Sequence, residues 1–88
     1  MPYYIAVYDA NVRRVAKVLK LFRRYLTWVQ RSVFEGELTE AQFHRLRYEV
    51  QKLINPDEDV VIFYELRDAR YSQRVVLGTE QGHLNRLL

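Results

Sequence analysis

Asp9 is the only acidic residue in or beside the apolar run that opens the chain, and it stands at the end of that run. A carboxylate there has two ordinary uses. It caps the first free N–H groups of a following helix, or it offers a hard oxygen to a divalent cation. The stretch from Val12 to Leu26 then carries Arg13, Arg14, Lys17, Lys20, Arg23 and Arg24 without one acid. Arg13, Lys17, Lys20 and Arg24 recur at the three- and four-residue steps that stack side chains on one helix face. Stacked cations are often only a solvated face, but they repel one another without an anion, and a nucleic-acid backbone supplies one. His44 and His83 show no metal-ligand spacing, and no Ser, His and Asp set suggests a nucleophilic triad.

These residues need elements to position them. Tyr3 to Asp9 is too short for a helix and rich in strand formers, which predicts a buried strand. Asp9 or Asn11 then caps a helix whose apolar face is Val12, Val15, Val18, Leu19, Phe22 and Leu26. Thr27 to Leu38 has strand composition, with Glu35 and Gly36 marking a bend, a bulge or a hairpin turn. Thr39 and Gln42 form a capping-box pattern for a second helix, Glu40 to Ile54, stopped by Asn55 and Pro56. Two further strands are expected at Asp59 to Leu66 and Arg74 to Leu77, and the tail from Gln81 is ambiguous.

With 88 residues, one domain spanning 1–88 is the expectation. The element order predicts an α+β, ferredoxin-like sandwich with two helices on one face of an antiparallel sheet. The strands at Tyr3 and Val60 are apolar on both faces, so the other face should be covered by a second copy, making a homodimer. The formal charge is +3 and there is no cysteine, which excludes a disulfide scaffold and thiolate zinc. No apolar run approaches a membrane span, so a soluble, cytoplasmic, unprocessed chain with no membrane partner is expected.

Two segments, YDANVRR at the end of the first strand and VQRSVFEGEL after the first helix, carry a resemblance. Their order and spacing, with Tyr8 and Asp9 closing the strand, Arg14 and Lys17 in the helix, the Gln30, Ser32, Val33, Phe34 box and a late strand ending at Gly78, resemble the small CRISPR-associated Cas-two proteins, partners of the Cas-one integrase in spacer acquisition for antiviral defence. The sequence departs from that pattern in having Arg31 inside the box and a short C-terminus.

The resemblance implies a ferredoxin-like homodimer that is a metal-dependent endonuclease on RNA or duplex DNA and a DNA-binding component beside the Cas-one integrase. It also implies that Asp9 is catalytic and holds Mg²⁺ or Mn²⁺, two copies sharing one ion across the dimer. Arg13, Arg14, Lys17, Lys20, Arg31 and Ser32 would contact nucleic acid, with Tyr8 and Phe34 as possible site or interface residues. Two rival readings are a non-catalytic DNA scaffold for the integrase and a virulence-associated toxin ribonuclease with a similar first strand.

Overall fold

Alternation decides the opening element. In β1 (Tyr3–Asp9), Tyr4, Ala6 and Tyr8 point to one side and Ile5 and Val7 to the other. The computed structural model describes residues 1–67 and 70–79. After β1 come α1 (Val12–Arg23), β2 (Thr27–Gln30), β3 (Val33–Glu37), α2 (Glu40–Leu53), β4 (Val60–Arg67) and β5 (Arg70–Gly78). The sheet runs β2-β3-β1-β4-β5, antiparallel throughout. Its first four strands have the ferredoxin-like order, and β5 adds an edge.

Both helices lie on one face. Val18, Leu21 and Phe22 of α1 and Phe43, Leu46 and Val50 of α2 share a core with Tyr4, Tyr8, Phe34 and Phe63 from the sheet. Phe22 sits at its centre, with ring centroids 5.4 Å from Tyr8, 5.4 Å from Phe34 and 5.9 Å from Phe63. Burying each such ring contributes about 1.5–3 kcal/mol. The opposite face carries a second cluster, Val7, Val60 and Ile62 with Ile5, Val33, Tyr64 and Val76, to which neither helix contributes. The expected two-faced apolar sheet is therefore present.

The caps follow the side-chain chemistry. Asn11 caps α1, its Oδ1 accepting from Arg13 N at 2.9 Å. Thr39 and Gln42 close the expected capping box on α2, with exchanged bonds of 3.1 and 2.8 Å. Beyond α1 the chain tightens onto Phe22, whose carbonyl accepts from Tyr25 N and Leu26 N, so Leu26 still reaches the core.

Four details differ from the sequence reading. Val12, placed on the apolar face, is 83% exposed, because the first helical residue precedes the turn that meets the sheet. The β2–β3 turn falls at Arg31 and Ser32, with Arg31 at φ 42°, and not at Glu35 and Gly36. Gly36 lies within β3, where a Cβ would stand 3.2 Å from Leu26 Cδ2, so it makes room for the Leu26 side chain just before β2. The last strand is longer than expected, since its polar first half still pairs through the backbone with β4. The tail from Gln81, including His83, lies outside the described residues.

Candidate metal and nucleic-acid site

Register brings the two sequence segments together. Asp9 pairs with Val60, the first residue of β4, while on the other side of β1 the N–H of Tyr8 donates to the carbonyl of Ser32 at 3.1 Å. The Arg31–Ser32 turn thus lies beside Tyr8 and Asp9 at one end of the sheet, and α1 starts from the same end. The turn is tied from within, because the indole N–H of Trp28 donates to the carbonyl of Arg31 at 2.9 Å.

Asp59 anchors this end, and the sequence reading missed it. Its side chain is fully buried. It accepts from Asn11 N at 2.7 Å, Asn55 N at 2.9 Å and Arg14 Nε at 2.6 Å. One carboxylate therefore joins the start of α1, the loop after α2 and the start of β4. Burial pushes its carboxyl up, but Arg14 and the two backbone N–H groups together outweigh that and hold it below its ordinary value. Arg14 also donates to Glu58. The guanidinium expected to meet phosphate is thus clamped onto two carboxylates, since the loop after α2 folds Glu58 and Asp59 against α1.

The other candidates separate clearly. Asp9 is partly exposed, and by alternation it shares the sheet face of Ile5 and Val7, opposite the helices. The helix-capping role open to it in the sequence is performed by Asn11. Tyr8 and Phe34 are 3% and 0% exposed and pack beneath the helices, so their rings belong to the core and not to an open surface. Burial raises the Tyr8 hydroxyl above its ordinary value, an effect Arg23 partly offsets, so Tyr8 is not a base near neutral pH. Arg31 is exposed at the turn, with Ser32 half-buried beside it. Arg13 is 72% exposed and only 3.7 Å from Glu58. Lys17 and Lys20 are exposed further along α1.

Among the described residues no three His, Cys, Asp or Glu side chains converge as a metal site. One chain offers Asp9 alone. A single partly exposed carboxylate fits Mg²⁺ or Mn²⁺, which accept one or two carboxylates with water and phosphate oxygens completing the shell. No helix among the described residues is long and apolar enough to cross a membrane.

Comparison with known proteins bears on this site. Residues 1–74 match the family described as CRISPR associated protein Cas2. A protein of Dictyoglomus turgidum named CRISPR-associated endoribonuclease Cas2 is 50% identical over 86 residues, covering 98% of this chain and 99% of that protein. One of the same name from Thermotoga maritima is 48% identical over 80 residues, covering 91% and 92%. A crystal structure of a Cas2 protein superposes with a TM-score of 0.74 at 39% identity, covering 91% of this chain and 90% of the other.

Proposed function

We propose that this chain, which belongs to the CRISPR-associated Cas2 family, is a homodimeric, metal-dependent endonuclease whose site is built on Asp9. The observation that carries this reading is the division of labour at the end of β1. Asn11 caps the helix and Asp59 anchors it, so both tasks are met by other residues while Asp9 stays half-exposed at the rim of the opposite sheet face. The names of the relatives favour RNA as the substrate. The family reading favours CRISPR defence over a toxin.

The dimer follows from the second apolar cluster. A second copy stacked on that face would bury it and bring the two Asp9 residues, at the rim of the same face, towards one another. Two carboxylates would then hold one Mg²⁺ or Mn²⁺. When bound, the ion supplies Lewis acidity that activates water and steadies the leaving oxygen. Arg13 and Arg31, exposed at the same end, neutralise the phosphates flanking the scissile bond, and the backbone around Ser32 sets the turn that holds Arg31 there. Lys17 and Lys20 carry the backbone along α1. Arg14 contributes indirectly, by fixing the helix start against Asp59. The setting is the cytoplasm, consistent with the absence of cysteine.

Asp9→Asn tests this reading, since Asn removes the charge and keeps the shape. The variant should remain a dimer by light scattering, still bind nucleic acid, and lose Mg²⁺-dependent cleavage of RNA; chelation should do the same to the wild type. Wild-type cleavage by Asp9→Asn would overturn the assignment. A second reading, a DNA scaffold for the Cas-one integrase in spacer acquisition, draws on the single metal ligand per chain. It prevails if neither protein cleaves while both support integration.

A further inference from the structure

We propose that a row of residues across the open sheet face, acidic at its β3 end and basic at its β5 end, fixes how two copies stack and puts both Asp9 residues at the same end. The inference rests on the homodimer reading above and specifies its register.

Cross-strand pairing supplies the row. Ile5 of β1 stands opposite Glu35 of β3 on one side and Tyr64 of β4 on the other, and Tyr64 stands opposite Arg74 of β5. Opposed residues in an antiparallel ladder project to the same face. Glu35, Ile5, Tyr64 and Arg74 therefore lie side by side on the face away from the helices, where Ile5 and Tyr64 belong to the second apolar cluster. Two residues along each strand towards Asp9, the next row is wholly apolar, with Val7 and Ile62 at its centre and Val33 and Val76 at its ends.

The two flanks differ in sign. On β5 the Arg74 guanidinium lies over the Tyr64 ring, 5.8 Å from its centroid, which holds the cation against the row. On β3, Glu35 is half-buried and Glu37 exposed, and neither forms an ion pair among the described residues. Both carboxylates stand beside Tyr3, whose hydroxyl is raised above its ordinary value by burial and then by these acids. An apolar strip with opposite charges on its two flanks is complementary to a copy of itself turned over.

That complementarity selects one symmetry axis. The row is centred between β1 and β4. A two-fold axis running along the strands there, between the stacked sheets, lays β3 of one copy over β5 of the other, so Glu35 meets Arg74 of the partner subunit at both flanks. It also keeps Asp9 at the same end in both copies, one strand spacing of about 4.8 Å apart sideways. An axis running across the strands instead lays each flank on its own kind and sends the two Asp9 residues to opposite ends. The charges thus favour the stacking that a shared metal site requires.

Charge reversal tests the register. The dimer dissociation constant is measured at low salt by analytical ultracentrifugation, or by subunit exchange of tagged copies where dissociation is too tight to reach. The proteins are the wild type, Glu35→Arg, Arg74→Glu and the double swap, with circular dichroism melts to verify folding. Each single reversal turns attraction into repulsion at both flanks and should weaken the dimer by about tenfold or more. The double swap restores both pairs and should return to within about threefold of the wild type, and high salt should shrink every difference. Equal constants across the series, or a double swap no tighter than the single variants, overturn the register and leave the homodimer intact. A wild type that is monomeric at every concentration overturns the two readings together.

Discussion

Asp9 closes β1 and Asp59 immediately precedes β4 at the same end of the sheet, one opposite Val60 and the other just before it, yet their surroundings are opposite. Asp59 is enclosed and receives four hydrogen bonds, two of them from Arg14, from two segments besides the strand it precedes. Asp9 is partly open, on the face away from the helices. The contrast teaches how to divide adjacent carboxylates: the enclosed one fixes geometry, and the half-exposed one is within reach of solvent. A buried carboxylate that lost its partners would be costly, which ties Asp59 to its architectural task.

The largest effect that sharpens this contrast is Asp59→Ala. It removes the buried partner of Arg14 and leaves the Asn11 and Asn55 N–H groups without an acceptor. We expect a loss of about 3 kcal/mol in urea unfolding, at the low end for a broken buried pair because Glu58 still meets Arg14. A loss below about 1 kcal/mol would break the distinction.

Gly78→Ala should come next, at about 2 kcal/mol. The glycine has φ +95° and a Cβ there would lie 2.1 Å from the Asp59 carbonyl oxygen, so the end of β5 would have to leave the anchor. The same unfolding assay reads it.

Acid titration probes the anchor more gently. Because the folded-state carboxyl of Asp59 lies below its ordinary value, its stabilisation is complete above the unfolded-state value and is lost as pH falls through the lower folded one. The gap in thermal midpoint between wild type and Asp59→Asn should therefore narrow on acidification from neutral pH. A gap that widens would reverse the sign. Smallest of all is the stability change for Asp9→Asn, expected within about 0.5 kcal/mol by urea unfolding; a cost comparable to that of Asp59→Ala would make Asp9 a second anchor.

What was legible depended on range. The capping box at Thr39 and Gln42, the two-faced strands and the α1 core stripe are local patterns, and local physics realises them. Asp59 was invisible because its partners are contributed by separate segments that meet only on folding. The charge stripe was legible as a stripe, but Glu58 and Glu49 arrive from elsewhere to meet Arg13, Arg14 and Arg24. The choice between a bend, a bulge and a turn at Glu35 and Gly36 stayed open because an arginine with positive φ is no sequence signal for the turn, while the glycine nearby was a signal whose reason was the approach of Leu26.

The tie between Trp28 and the carbonyl of Arg31 has a practical consequence. Trp28 is the only tryptophan in the chain, and its ring is 52% exposed, so a single indole reports on the hairpin beside Asp9. The protein thereby carries its own optical probe. A ligand that shifts the Arg31 turn changes the donor state and polarity around the indole, and its emission moves. A ligand seated only on the helix layer leaves that colour alone, so the emission separates binding at the turn from binding elsewhere without a label.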